Sequence, residues 1–171
     1  MEMNYCRRCG TKLNKKSADI YKCEQNHTIF EDMAPSSGIL FINADNNVTL
    51  SVRGIEPFKG KLDAFGGFFD LGEDAPACMS RELEEELGLG PEDYSVPEFL
   101  ATGTTNYVFE GEARTVLGLM HWSRLKPGVN LKPADDVTDT KTIPLSKINM
   151  EDIGADDVKA GIEALKKKFP Q

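Results

Sequence analysis

The chain has 171 residues, 40% hydrophobic and 28% charged, with a formal net charge of −8. That length suits one full domain with a small appendage, and no apolar run approaches the ~18 residues a membrane span needs. The opening MEMNYCRRCG lacks an apolar signal-peptide core, so the expectation is a cytoplasmic protein with reduced cysteines and no membrane partner.

Residues 1–34 carry six Lys/Arg and five Asp/Glu, whereas residues 35–171 carry 14 and 23. The acidic body argues against broad nucleic-acid binding, leaving only the small basic segment to supply it. In that segment Cys6-Arg-Arg-Cys9-Gly10 is a C-x2-C turn that aims two sulfurs at one ion. A Lys-rich, hairpin-like stretch follows, then Tyr21-Lys-Cys23-Glu-Gln-Asn-His27. Cys6, Cys9, Cys23 and His27 together match a tetrahedral structural zinc site. With few large apolar side chains, residues 1–34 cannot hold themselves by core burial, and a metal staple is a physically reasonable substitute. Arg7, Arg8, Lys12, Lys15 and Lys16 read as a solvated basic face.

Met33 to Ser37 reads as a linker. Gly38–Asn43 and Val48–Arg53 read as two strands joined by a turn at Asp45-Asn46-Asn47. Residues 55–61 form a loop, and Leu62-Asp-Ala-Phe65 is a short strand leading to Gly66-Gly67, where the absence of Cβ lets backbone approach a metal or phosphate. From Asp74 the chain reads as a helix, with Pro76 in its first turn and Gly88 after its end. Residues 67–89 hold seven acidic side chains and one basic, Arg81. On a helical wheel Glu82, Glu85 and Glu86 fall within roughly a 100° arc, a repulsive arrangement. Glu86 points between Ala75, Met79 and Leu83, toward a core, and a carboxylate there needs a cation. Hard oxygen ligands with no His or thiol beside them favour Mg²⁺ or Mn²⁺. Cys78, on the apolar flank of this helix, reads as a buried structural thiol.

Beyond the helix, residues 97–105, 106–109 and 115–125 read as strands, with Glu110-Gly111-Glu112 as a turn, and 137–143 as a last strand. Asp157 to Phe169 reads as an amphipathic helix with Val158, Ile162, Leu165 and Phe169 on one face and Lys166–Lys168 suited to its C-terminal dipole. These elements give an α/β protein, a mixed sheet with helices on both sides. Tyr107, Phe109 and Trp122 are candidates to stack on a base, and His121 reads as a packed or surface residue.

Gly67, five residues, Glu73, seven residues, then Arg81-Glu82-Leu83-Glu84-Glu85-Glu86-Leu87-Gly88-Leu89 resembles a complete Nudix box, G-x5-E-x7-R-E-U-x-E-E-x-G-U, where U is a bulky aliphatic. The resemblance implies a Nudix α/β/α sandwich over residues 35–171. The head, residues 1–34, resembles the zinc ribbon that precedes the Nudix domain in bacterial NADH pyrophosphatases. It further implies metal-dependent hydrolysis of a pyrophosphate in a nucleoside diphosphate-linked small molecule such as ADP-ribose or NADH. By position, Glu82, Glu85 and Glu86 would hold Mg²⁺ or Mn²⁺ with the Gly66 carbonyl, Glu82 could also move a proton, and Arg81 and Glu73 would pair to fix loop to helix. Some relatives keep the base on a downstream loop, for which Asp135 or Asp136 is the candidate. Phe65 stands where relatives usually carry Pro. The SQPWPFPxS array of NADH pyrophosphatases is absent, its place taken by residues 101–107. Tyr107 stands about 18 residues past the box, as in some dinucleoside polyphosphate hydrolases. Removal of nucleotide caps from RNA and a non-catalytic nucleotide-binding module are the alternatives, and since many relatives dimerise, a homodimer stays open.

Overall fold

The computed structural model describes residues 3–109 and 111–170. Glu110, within the turn expected before the penultimate strand, lies outside the described residues. The head is a three-stranded antiparallel sheet of β1 (Leu13–Lys15), β2 (Ile20–Cys23) and β3 (Thr28–Phe30). Its core consists of Cys6, Leu13, Cys23 and Ile29, so half of the buried members are cysteines. Arg7, Arg8, Lys12, Lys15 and Lys16 are all exposed, as expected.

The body is built on β4 (Ala34–Ile42), β5 (Asn47–Arg53), β6 (Leu62–Asp63), β7 (Phe65–Phe68), β8 (Glu98–Phe109), β9 (Glu112–Ser123) and β10 (Val137–Pro144). Their order is β10-β5-β4-β9-β8, with β6 added to β5 and β7 added to β4. Only the β4–β9 pair is parallel among these strands. Helix α1 (Ala75–Leu87) covers one face and α2 (Asp156–Lys168) the other. Alternation along β4 explains the two layers. Ile39 and Phe41 pack with Met79, Leu83 and Leu87 of α1, whereas Leu40 and Ile42 pack with Val158, Ile162 and Leu165 of α2. A strand buried on both faces reads as an unbroken apolar run, which is what Ile39–Ile42 is. Asp74 caps α1 by accepting from the Ala77 N–H at 3.0 Å, and Gly88 closes it. Among the described residues no helix is long and apolar enough to cross a membrane.

Two expectations are corrected. Met33–Ser37 is not a free linker, because β4 begins at the fully buried Ala34 and pairs with β9 from Ala34↔Val116 onward. Pro-Ser-Ser has turn composition, but pairing on both sides overrides it. The break expected at residues 105/106 does not occur, since β8 runs unbroken through 12 residues opposite β9.

A split in the sheet positions the site. β4 pairs with β5 only at Phe41 and Ile42. Toward its start β4 takes β7 as its neighbour over Ser36–Ile39, while β6 follows β5. The two half-sheets therefore diverge, and a cavity of about 400 Å³ opens between them.

Candidate active site and the Cys3His head

One end of the cavity is the acidic helix. Glu82, Glu85 and Glu86 all line it, together with Gly66, Gly67, Asp135 and Asp136, so the residues expected around a metal are brought to one place. Glu86 is 4% exposed and accepts one hydrogen bond, from the Gly66 N–H at 2.9 Å. Burial pushes its carboxyl up to about 9. A carboxyl that burial keeps protonated is one that an adjacent cation would return to charge, so the donor set fits a hard divalent ion. Glu82 is also raised by burial, opposed by Arg81, and Glu84 faces solvent.

Arg81 and Glu73 form the expected pair, with Nε to Oε1 at 2.8 Å and Nη2 to Oε2 at 3.0 Å. This bidentate contact holds Glu73 down at about 2. The guanidinium also donates to the Phe68 carbonyl at 2.9 Å, to Glu82 at 2.7 Å and to Glu85 at 3.1 Å. Arg81 thus ties the loop to the helix and steadies two of the three carboxylates, a wider role than the motif alone indicates. Cys78 is fully buried beneath the loop, and burial pushes its thiol up to about 11.

Gly66 has a backbone φ of +131°, and a Cβ there would overlap the Ser37 carbonyl oxygen. At Gly67 an added Cβ would instead press on the Glu82 carboxylate. The two alanine substitutions should therefore separate. Gly66→Ala is expected to cost about 3 kcal/mol or more of stability in denaturant unfolding. Gly67→Ala should fold near normally and lose affinity for Mg²⁺, read by titrating the ion against activity. Equal stability of the two variants would contradict this assignment.

The middle of the cavity holds residues that the sequence did not single out. Arg53, at the end of β5, donates to the Tyr107 hydroxyl at 2.8 Å, reaches Asp63 at 3.4 Å and lies 3.9 Å from Asp136. Burial pushes Asp63 up to about 6 against the opposing Arg53 charge, and raises Asp136 in the same way. Thr105 and Asp157 also line the cavity. Asp63 and Thr105 interrupt otherwise ordinary strands, which is a weak signal in one sequence. Tyr107 lines the cavity as a pocket wall. The other two stacking candidates are corrected. Trp122 is buried in the α2-side core with its ring 4.9 Å from Phe169, and Phe109 stands exposed near the end of the β8–β9 hairpin and outside the cavity lining. His121 is packed against Phe99 with Nδ1 3.1 Å from the Leu119 carbonyl, and burial lowers its pKa.

In the head, the ligand atoms of Cys6, Cys9, Cys23 and His27 all lie within 4.8 Å of one another. Cys9 and Cys23 sulfurs are 3.8 Å apart, and Cys6 Sγ is 3.6 Å from His27 Nδ1. Those are not disulfide distances. A tetrahedron with Zn–S bonds of about 2.3 Å has edges of about 3.8 Å, which the sulfur pair matches. Asn26, at φ 63°, turns the chain so that the Cys23 N–H meets the His27 carbonyl at 3.2 Å. Its role is the turn, and the spacing of four between Cys23 and His27 follows from it.

The NUDIX domain family model matches residues 33–161. The chain belongs to the Nudix family. A curated ADP-ribose pyrophosphatase from Methanocaldococcus jannaschii is 42% identical over 50 residues, a match spanning 29% of this chain and 30% of that protein. Among solved structures, a NUDIX hydrolase from Nitrosomonas europaea superposes with a TM-score of 0.64 at 19% identity, covering 96% of this chain and 89% of that one. The NUDIX domain of Shewanella oneidensis NrtR, solved with ADP ribose, also gives 0.64 at 19% identity, with coverage of 81% and 90%. These structures establish the Nudix fold of the body.

Proposed function

We propose that this Nudix protein is a divalent-metal-dependent pyrophosphohydrolase of nucleoside diphosphate-linked small molecules, with ADP-ribose as the first substrate to test. The observation that carries the reading is the gathering of Glu82, Glu85 and buried Glu86 with Gly66 at one end of a cavity large enough for a nucleotide. The identity to an ADP-ribose pyrophosphatase supports the substrate. Mg²⁺ or Mn²⁺ held there would neutralise pyrophosphate oxygens and activate a water. Glu82, Glu85 and Glu86, with the Gly66 carbonyl, are the assigned ligands. Arg81 keeps Glu82 and Glu85 aimed, and Glu73 keeps Arg81 in place. Asp136, with Asp135 beside it, lines the same cavity 3.9 Å from Arg53 and is the assigned acceptor of the water's proton. The Cys3His group is assigned to one structural zinc, making residues 1–34 a zinc ribbon ahead of the hydrolase domain. Reduced thiols agree with a cytoplasmic setting.

Incubation with Mg²⁺ and a panel of ADP-ribose, NADH, FAD, diadenosine polyphosphates and nucleoside triphosphates tests the reading, and AMP with ribose 5-phosphate is the product pair expected from ADP-ribose. Nucleotide binding with no metal-dependent turnover on any member would overturn it. Changing Asp135 and Asp136 together to Asn should lower kcat by about 10²-fold or more with little effect on folding. A rate within twofold of the parent would remove both from the chemistry.

A further inference from the structure

A buried hydroxyl beside the acidic helix has no bonding partner among the described residues. Ser37, in the first half of β4, is 1% exposed and lines the cavity, and its Oγ makes no hydrogen bond to them. The backbone there is engaged on both sides, by Gly67 of β7 and by Leu119 of β9. Its N–H faces the Cys78 sulfur, while the Cys78 thiol points to the Gly67 and Phe68 carbonyls, each at 3.6 Å. Neither arrangement serves the hydroxyl. A hydroxyl buried without a bond is costly, and Ala in its place would avoid that cost. Polar atoms so placed in native proteins ordinarily have a partner, which here must come from outside the chain.

Position on the sheet narrows the choice of partner. Alternation along β4 puts Ser37 on the α1 face with Ile39 and Phe41. Ser37 and Gly67 stand directly opposite in the antiparallel β4–β7 pair, so their Cβ positions share one face about 5 Å apart. The Gly67 position is the one against Glu82, since a Cβ there would lie 2.7 Å from the Glu82 carboxyl carbon. The Ser37 hydroxyl therefore shares a face with Glu82, across the space that Gly67 leaves open and beyond direct hydrogen-bond reach. Polar groups separated in this way are commonly bridged by water. Glu82, Glu85 and Glu86 all line the cavity and repel an anion. What fits between a hydroxyl and carboxylates is water carried by a cation, and Mg²⁺ keeps several of its waters when bound.

Resting on the hydrolase reading above, we infer that Ser37 is a positioning residue of the divalent site, its hydroxyl accepting a hydrogen bond from a water held by the ion at Glu82, Glu85 and Glu86. The residue acts through that water and touches neither substrate nor reacting atoms. Its contribution belongs to affinity for the ion.

The test is binding of Mn²⁺ to the full chain without nucleotide, read as free Mn²⁺ by electron paramagnetic resonance, so that turnover does not enter. Ser37→Ala should bind Mn²⁺ about tenfold more weakly than wild type, the usual loss when a group supporting metal ligands is removed. Ser37→Thr and Ser37→Val match in size and differ by the hydroxyl, and Thr should bind about tenfold more tightly than Val. Denaturant unfolding supplies a second readout. Without added divalent ion Ser37→Ala should match or exceed wild type in stability, because it buries no unbonded hydroxyl. In equal Mn²⁺ wild type should gain the more, as the tighter binder. Affinity of Ser37→Ala within twofold of wild type, or Thr and Val binding alike, would overturn the proposal and leave the hydrolase reading standing. A Ser37→Ala chain that is less stable even without the ion would make the hydroxyl a structural group and overturn it too. A wild-type chain that binds no Mn²⁺ would remove the hydrolase reading and this inference together.

Discussion

Replacing Glu86 with Gln is expected to lower kcat by about a thousandfold or more while leaving the fold intact. Cation stabilisation of the transition state amounts to several kcal/mol, and each 1.36 kcal/mol is about a factor of ten in rate. Stability should move the other way. Glu86 is buried with one donor, the Gly66 N–H, and its carboxyl titrates near 9 in the folded chain against an ordinary 4.5. The folded state therefore holds a proton that the unfolded state releases. Its contribution to stability is fully present below about 4.5 and is lost as pH rises toward 9. Gln accepts from the same N–H and has no proton to lose. Denaturant unfolding in EDTA should show wild type and variant close together at pH 5 and the variant ahead at pH 8. If Glu86→Gln retains more than a tenth of wild-type kcat, or loses stability at both values, Glu86 is not a metal-supported carboxylate.

Cys23→Ser should abolish zinc retention and unfold the head. The head's core has four buried residues, two of them Cys6 and Cys23. Burial on that scale does not offset the ordering of some thirty residues. In small domains of this kind metal binding, worth about 10–16 kcal/mol, is most of the folding free energy. Metal analysis after mild chelation should find about one zinc per wild-type chain and none in the variant. Amide exchange should show β1–β3 unprotected in the variant and the β4–β9 pair unchanged, since the body has its own two-sided core. A Cys23→Ser chain that keeps its zinc, or keeps wild-type protection in β2, would rule out the staple.

Legibility in the sequence followed the range of the interactions involved. Helix α1 was readable to within a residue because its cap, its proline and its terminal glycine are local signals. Its acids were readable as a group because helical spacing alone puts Glu82, Glu85 and Glu86 on one side, and the Arg81–Glu73 pair follows from the same box. Cys6, Cys9, Cys23 and His27 were recoverable because few other side chains at those spacings do comparable chemistry. The start of β4 was misread because Pro35-Ser36-Ser37 has turn composition, and only the β9 and β7 neighbours make it a strand. Trp122 and Tyr107 looked alike as aromatic residues in strands. Which face of the sheet each side chain occupies, and where the sheet splits, sent one into the α2-side core and the other into the cavity.

The sequence by itself determined the family, the acidic helix with three carboxylates on one side, and the Cys3His set, since each rests on residue types at short, regular spacings. The tertiary structure alone decided the rest of the cavity. Arg53, Asp63, Thr105 and Asp157 come from four separate elements, and the divergence of β4 from β5 brings them together. No spacing rule links residues whose only relation is a gap between half-sheets. The clustered acids of α1 are therefore written locally, and the rest of the cavity wall is set by how the sheet opens.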